Sequence, residues 1–250
     1  MNRMKFQRLI KLEDDSSPDE TKDIAIDEDD HTTELSKSES QTSRFANLEN
    51  IDFQFVAYDQ DICILGSKGS GKSYLANEIM KGLNGIHVWV YDFNHQFHSS
   101  RAIVFNDLTK MLELSDQAKR GHYILQPHDN SENTFRRFCE EGFKRGNLVL
   151  MMDEAHSFLT KQKQLKEFNN IILSGRPRGI SCITISSRPA SLPNNVLTNA
   201  KHVFAFKLNL ETDIKFLEGF LGSDVWILMP KDKRHKLKDE AELPEHTFFY

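Results

Sequence analysis

The chain has 250 residues and a formal net charge of −5 at pH 7, with 38% hydrophobic and 28% charged residues. This length suits a single α/β domain with a tail. No unbroken apolar run exceeds five residues, whereas a membrane-spanning helix needs about 20, so we expect no membrane-spanning role. The basic N-terminus, residues 1–12, lacks the apolar core of a secretory signal. The three cysteines, Cys63, Cys139 and Cys182, are odd in number and lack a zinc-site spacing. A disulfide scaffold and a structural zinc site are therefore both disfavoured, and a reducing compartment fits.

Charge is distributed unevenly along the chain. Residues 1–12 carry a net charge of +4, residues 13–39 carry −10, and residues 40–250 carry +1. The acidic stretch is rich in serine and threonine, so it cannot bury enough apolar surface to offset the entropy lost on ordering. We predict a disordered acidic tail over residues 1–43 and a folded domain over residues 44–250. The tail serves either as a solubilising segment or as an interaction arm that masks a basic surface.

Short apolar runs alternate with amphipathic stretches through the rest of the chain. The apolar runs cover residues 61–66, 87–92, 123–126, 148–153, 182–187 and 202–208, and the helix-like stretches cover 72–83, 108–119, 132–144, 163–173 and 211–220. Continuous apolar runs are typical of strands that are covered on both faces. We therefore predict an α/β fold, a three-layer sandwich with a mostly parallel central sheet. Late strands are expected at 225–229 and 247–250, with a basic surface loop at 231–238.

A phosphate-binding loop follows the first apolar run. The sequence GSKGSGKS over residues 66–73 matches the pattern G-x-x-x-x-G-K-[S/T]. Its glycines allow backbone N–H groups to surround phosphate oxygens, and the following helix directs its positive end at the same anion. Lys72 is expected to reach the β- and γ-phosphates, and the Ser73 hydroxyl to ligate Mg²⁺. The predicted nucleotide contacts are Gly66, Ser67, Lys68, Gly69, Ser70, Gly71, Lys72, Ser73 and Tyr74.

The apolar run at 148–153 ends in Asp153, and a second carboxylate, Glu154, follows it directly. A parallel strand brings Asp153 to the carboxyl edge of the sheet, beside the phosphate loop. There it is predicted to hold Mg²⁺ through a water, together with Ser73. Glu154 points in another direction and is the predicted general base for the attacking water. Hydrolases need such a base, whereas many small-molecule kinases do not.

Arginines surround the next predicted strand. Arg176 and Arg178 lie in a Gly/Pro turn before it, and Arg188 follows it. A loop arginine at the sheet edge can reach the γ-phosphate of a neighbouring subunit. The sequence leaves open which of Arg176 and Arg178 takes this role, with a slight preference for Arg178, and a solvated turn is the alternative.

The segments GSKGSGKS, LVLMMDEAH and GRPRGIS…SSRP, in this order and spacing, resemble the FtsK–HerA group of P-loop ATPases. Within this group the chain is similar to the genome-packaging ATPases of viruses with an internal membrane and of archaeal turreted viruses. The resemblance covers residues 60–220 and implies a RecA/ASCE-like core. It implies that Lys72, Ser73, Asp153 and Glu154 take the roles given above, and that the arginine turn supplies an arginine finger. The family commonly has a glutamine sensor where this chain has Ser187, and Asp92 ends a strand where the family often carries an acid.

The resemblance implies an oligomeric motor that uses ATP and Mg²⁺ to move double-stranded DNA. It further implies a pentameric or hexameric ring, capsid-vertex proteins as possible partners, and a location in the host cytoplasm and possibly the virion. Composition by itself does not indicate DNA, because the body is nearly neutral and its basic clusters, such as 161–163 and 231–238, are typical of solvated surfaces. The alternatives are a related ATPase of conjugation or filamentous-phage assembly, a P-loop kinase, and a nucleotide-gated binding module. A superfamily 2 helicase, which also carries Asp-Glu-Ala-His, needs a second core for which this chain has no room.

Overall fold

A computed structural model describes residues 45–47, 60–118, 120–238, 240, 243 and 247–249. The predicted acidic tail at 1–43 lies outside these residues. The strands are β1 (Phe45–Asn47), β2 (Ile62–Leu65), β3 (His87–Tyr91), β4 (Ala102–Phe105), β5 (Gly121–Leu125), β6 (Leu148–Met152), β7 (Ile180–Ser186), β8 (His202–Phe206) and β9 (Thr247–Phe249). The helices are α1 (Lys72–Gly82), α2 (Leu108–Gln117), α3 (Glu132–Arg145), α4 (Lys166–Ser174), α5 (Asn194–Asn199) and α6 (Glu211–Leu221).

The strands form one sheet in the order β1-β9-β8-β2-β7-β6-β3-β5-β4. The seven strands from β8 to β4 are parallel, and β9 and β1 pair antiparallel at one edge. β7 lies between β2, which leads into the phosphate loop, and β6, which ends in the acidic pair. The two motifs therefore share the carboxyl edge of the sheet but are separated by one strand, so the loop after β7 runs between them.

The sheet has a hydrophobic core on each face. Alternate residues of β2 divide between the two cores, with Ile62 and Ile64 on one face and Cys63 and Leu65 on the other. Among the described helices, only α1 contributes to the core that contains Ile62, whereas α2 to α6 all pack on the opposite face. The predicted three-layer sandwich with a mostly parallel sheet is confirmed, and its layers are unequal in size.

Local sequence sets the beginnings of several helices. The side chain of Asp107 accepts a hydrogen bond from the backbone N–H of Lys110 and so caps α2, and Ser131 caps α3 through the N–H of Thr134. Gly146 follows α3 with a φ of 67°, a conformation that favours glycine. The helical stretches predicted from periodicity are all present. Four of them begin at the predicted residue, α4 begins three residues later than predicted, and the C-terminal ends differ by one or two residues.

The late part of the chain differs from the prediction. Residues 225–229 were expected to form a strand, but they lie in a 3-10 turn, Ser223–Leu228, and its continuation. A short buried apolar run does not distinguish a strand from a buried turn of helix, and here all of Val225, Trp226, Ile227 and Leu228 enter the core. The strand expected at the C-terminus is present as β9. Strands β1 and β4 and helix α5 were not predicted, because all three are short and β4 is partly exposed.

Candidate nucleotide-binding and catalytic site

The phosphate loop joins β2 to α1. Gly66 adopts a φ of 154°, and a Cβ at this position would lie 2.6 Å from Phe206 Cβ and 2.6 Å from Ser70 Oγ. Gly69 and Gly71 also have positive φ values, 79° and 108°. The space around the missing Cβ of Gly69 is open to at least 4 Å. Glycine is therefore required at Gly66 by close packing and at the other two positions by backbone conformation.

Lys72, the first residue of α1, is buried, with 5% of its surface exposed. Its Nζ donates a hydrogen bond to the carbonyl oxygen of Ser67, 3.0 Å away. Burial lowers the pKa of Lys72, while the charges of Glu154 and Asp153 act in the opposite direction. A buried ammonium group beside the phosphate loop is suited to bind an anion such as a phosphate.

A loop after β3, residues 92–98, covers the beginning of α1. Asp92 is fully buried, and its carboxylate accepts hydrogen bonds from the N–H groups of Gln96 and Phe97, both at 2.9 Å, and from Nε2 of Gln126 at 2.8 Å. The Ser73 hydroxyl donates to Oε1 of Gln96 at 3.0 Å. Asp92 therefore shapes this loop, and Gln96 holds the hydroxyl that was predicted to ligate Mg²⁺.

Asp153 follows β6 and continues the ladder, because its N–H donates to the carbonyl of Tyr91. The side chain is 1% exposed, and Nδ2 of Asn94 donates to its Oδ2 at 3.3 Å. Burial, together with the carboxylates of Glu154 and Asp92, raises the pKa of Asp153 to about 7. Such a buried acid among other acids is stabilised by a cation.

Glu154 has a left-handed backbone conformation, with φ 47° and ψ 43°. This conformation costs a residue other than glycine roughly 1–3 kcal/mol, and such strain is concentrated at functional sites. Glu154 therefore leaves the extended conformation of β6 directly after Asp153.

Three donors converge on Oε2 of Glu154. They are the backbone N–H of Ser187 at 3.2 Å, its hydroxyl at 2.9 Å, and Nδ1 of His156 at 3.1 Å. Burial opposes ionisation of Glu154, but these hydrogen bonds and the charges of His156 and Lys72 outweigh it and lower the pKa of the carboxyl group. Glu154 is therefore ionised at neutral pH, as a general base must be.

Sequence reasoning missed His156, Asn94 and Gln96 as parts of the site. His156 lies two residues after Glu154, so its position in the DEAH segment was an available signal. Asn94 and Gln96 carry no recognisable pattern, since they depend on how the loop after β3 folds. Ser187, which stands where the family commonly has a glutamine sensor, contacts the carboxylate of Glu154.

The arginine turn lies at the opposite end of β7, since Arg176–Arg178 forms a 3-10 turn before the strand begins. Both arginines are exposed. The Arg178 side chain donates from Nε to the carbonyl of Phe143 and from Nη2 to that of Lys144, each at 2.8 Å. Its guanidinium also lies 4.8 Å from the centre of the Phe143 ring. Arg178 therefore caps the carboxyl end of α3 within its own chain. Arg188, beyond β7, lies 3.5 Å from the buried Asp213.

The residues of this edge fit ATP with Mg²⁺. The glycine-lined loop offers backbone N–H groups, and Lys72 supplies a buried cation. The buried Ser70 hydroxyl has no hydrogen-bond partner among the described residues. The raised pKa of Asp153 indicates an acid that a metal ion would stabilise. No group of three or more metal-binding side chains occurs within the described ranges. A magnesium ion would therefore depend on Ser73, Asp153 and phosphate oxygens.

The three cysteines are buried free thiols, and no described helix is long and apolar enough to cross a membrane.

A family model described as an AAA domain matches residues 57–185, which is more than half of the chain. The chain belongs to this AAA domain family. The matched region includes the phosphate loop, both carboxylates of the acidic pair, the arginine turn and most of β7.

The chain is also similar to individual proteins. The DNA double-strand break repair helicase HerA of Saccharolobus solfataricus is 30% identical over 113 residues, which are 44% of this chain but only 22% of HerA. The genome packaging NTPase B204 from Sulfolobus turreted icosahedral virus 2, in complex with sulfate, superposes with a TM-score of 0.54 at 18% identity, covering 66% of this chain and 82% of B204. The DNA-packaging ATPase B204 from Sulfolobus turreted icosahedral virus superposes with a TM-score of 0.53 at 20% identity, covering 74% of this chain and 89% of B204. At these identities the structural matches demonstrate the fold alone.

The chain is thus a nucleotide-binding P-loop ATPase with an AAA domain, and its predicted resemblance to HerA and to viral genome-packaging ATPases is confirmed. The aligned region spans about a fifth of HerA, so the activity of the whole HerA protein does not transfer with the similarity.

Proposed function

We propose that this ATPase couples Mg²⁺-dependent ATP hydrolysis to the translocation of double-stranded DNA, and that it packages a viral genome into a capsid. The relatives support the DNA step by their described activities, namely DNA repair by HerA and DNA packaging by B204. A role in the host cytoplasm and at the virion, with capsid-vertex proteins as partners, belongs to the same proposal.

One observation carries the hydrolytic part of this proposal. Glu154 presents an ionised carboxylate that is anchored through Oε2, and its charge acts on Lys72 of the phosphate loop. Oε1 accepts no hydrogen bond from another described residue, so this oxygen is suited to take a proton from water. Lys72 neutralises the β- and γ-phosphates, Ser73 and Asp153 hold Mg²⁺, and Glu154 activates the water.

An arginine finger from a neighbouring subunit completes the proposed site. Arg178 has two hydrogen bonds to the end of α3 in its own chain. Arg176 and Arg178 both stay candidates for the finger, and a role of Arg178 in another subunit would require these two hydrogen bonds to break. The arrangement requires a ring in which the turn of one subunit faces the phosphate loop of the next.

The first experiment measures phosphate release and the binding of an ATP analogue. Glu154→Gln is expected to keep analogue binding and to lose roughly 10²–10⁴-fold in turnover, because the amide cannot act as a base. Lys72→Ala is expected to lose binding. The exposed Glu113 on α2 provides a matched control, since Glu113→Gln should leave both quantities unchanged. Normal turnover in Glu154→Gln would refute the assigned role.

The second experiment tests the DNA step. Linear double-stranded DNA should stimulate phosphate release, and the stimulation should decline as salt increases, because phosphate contacts release counterions. Unchanged turnover with DNA at low salt would contradict translocation while leaving the ATPase intact. Phosphate transfer to an acceptor without release to water would instead indicate a kinase.

The third experiment tests the shared site. Arg176→Ala subunits have a sound phosphate loop, and Lys72→Ala subunits have a sound arginine turn, so mixing two inactive variants should restore some turnover. A missing finger typically costs 10³–10⁵-fold in rate, so even a minority of repaired interfaces should exceed either parent. Arg178→Ala mixed in the same way is the comparison. Rescue with only one of the two arginine variants would assign the finger to that arginine, and no rescue with either would refute a finger in trans.

A further inference from the structure

His156 lies where two segments of the site meet. It belongs to a short 3-10 turn, Ala155–Ser157, directly after Glu154. Its Nδ1 is 3.1 Å from Oε2 of Glu154 and 3.2 Å from Oγ of Ser186, the last residue of β7. The Ser186 hydroxyl in turn accepts a hydrogen bond from the N–H of Arg188 at 3.1 Å. One ring nitrogen therefore links the proposed base to the end of a different strand.

The position of the proton on His156 follows from these contacts. If Nδ1 carried no proton, its lone pair would face a carboxylate oxygen at hydrogen-bond distance, which is repulsive. A proton on Nδ1 instead gives a donor to Glu154, with Ser186 as a second acceptor at the side. Ser186 can accept from both the ring and Arg188 because a hydroxyl oxygen has two lone pairs.

Glu154 needs such support because its backbone does not orient it. The left-handed conformation removes the side chain from the regular alternation of β6. The two donors of Ser187 approach Oε2 from the loop after β7, and His156 approaches the same oxygen from the chain segment of Glu154 itself. With three donors on Oε2, the carboxylate is fixed in rotation and Oε1 keeps one direction.

We propose that His156 is a positioning residue for ATP hydrolysis, which holds Glu154 through Nδ1–H so that Oε1 faces the attacking water. This inference rests on the proposed role of Glu154 as the base. His156 touches the base and not the substrate, so its loss impairs the chemical step and leaves nucleotide binding intact. The charged groups around it are Glu154, the buried Asp213 of α6, Arg188 beside Asp213, and Lys72, which acts on Glu154.

Substitutions at this position separate a directed hydrogen bond from mere packing. The amide nitrogen of asparagine occupies nearly the place of Nδ1, whereas that of glutamine lies near the place of Nε2. His156→Asn should therefore retain most of the kcat. His156→Ala and His156→Gln should lose roughly 10–100-fold, the range expected for a hydrogen bond to a charged group. KM and the affinity for an ATP analogue should stay unchanged in all three. His128, which is exposed in the loop between β5 and α3, provides the control His128→Ala.

Combination with Glu154→Gln distinguishes the possible failures. If His156 acts through Glu154, then adding His156→Ala to Glu154→Gln should cause no further loss of turnover. An additional loss, an unchanged kcat in His156→Ala, or an equal loss in the asparagine and glutamine variants would overturn the inference while Glu154 remains the base. Normal turnover in Glu154→Gln would overturn the proposed function and this inference together. Thermal melting of each variant identifies a loss of turnover that comes from unfolding. If His156→Ala unfolds, the comparison of His156→Asn with His156→Gln decides whether the hydrogen bond from the Nδ1 position is needed.

Discussion

Replacing Asp153 by asparagine tests the electrostatics of the site without any nucleotide. Asp153 is 1% exposed and its pKa is raised from 3.8 to about 7, first by burial and then by the charges of Glu154 and Asp92. A carboxyl group whose pKa is higher in the folded state stabilises the fold only while it is protonated. Its contribution is complete below the unfolded-state pKa, and it is lost as the pH rises from about 4 to about 7. Asparagine has the same shape and no charge, so it avoids this loss.

The size of the effect follows from the shift. Each pH unit between the two pKa values costs about 1.4 kcal/mol, so the full shift of about three units has an upper limit of about 4 kcal/mol. Between pH 5 and pH 8, the advantage of Asp153→Asn over the wild-type chain should increase by up to about 3 kcal/mol. In a chain of this size that corresponds to roughly 6–12 °C in Tm.

The assay is thermal melting in EDTA at pH 5, 6, 7 and 8, with the exposed Asp232→Asn as the control. Asp153→Asn should gain in Tm over the wild type as the pH rises, while Asp232→Asn should show no trend. Adding Mg²⁺ with a non-hydrolysable ATP analogue should stabilise the wild type more than Asp153→Asn, because the metal replaces the proton on the carboxylate. A difference in Tm that is constant across this pH range would refute the reasoning.

Three further predictions concern the phosphate loop, the arginine turn and the tail. Gly66→Ala should destabilise the fold by about 1–3 kcal/mol through overpacking and should lose ATP-analogue binding. Gly69→Ala has open space around the new methyl group and should cost only about 1–2 kcal/mol of backbone strain. Melting and binding assays compare the two variants, and equal effects would contradict the packing argument. Arg178→Ala should lower the free energy of unfolding by roughly 1–3 kcal/mol in denaturant titration, because two carbonyls at the end of α3 lose their donor. Arg178→Lys should recover only part of this free energy, since one ammonium group cannot replace the two donors of the guanidinium group. Deleting residues 1–43 should leave Tm and basal ATPase activity unchanged; a large fall in Tm would show that the tail packs on the domain.

Contiguous patterns in the sequence predicted much of the site. The phosphate loop and the acidic pair are each encoded by a few adjacent residues, and their order between strand-like and helix-like stretches predicts a parallel sheet. Since parallel strands end at the same edge, this pattern was sufficient to bring Lys72, Ser73 and Asp153 to one edge of the sheet.

Contacts between remote segments were not accessible in this way. Ser187 contacts Glu154 across 33 positions, and Asn94 contacts Asp153 across 59. These pairs depend on β7 lying next to β6 and on the loop after β3 being held by Asp92, and no local pattern specifies either. The 3-10 turn at Ser223–Leu228 was also missed, because a short buried apolar run is compatible with more than one backbone conformation.

The sequence alone therefore determined the fold class, the phosphate loop and the identity of the two carboxylates, because local periodicity and motif spacing are properties of neighbouring residues. Only the tertiary structure decided how these groups are tuned. It buried Asp153 among acids and raised its pKa, anchored Glu154 through Ser187 and His156, and engaged Arg178 at the end of α3. Burial and hydrogen-bond partners come from the packing of distant strands and loops, so these properties exist only in the folded chain.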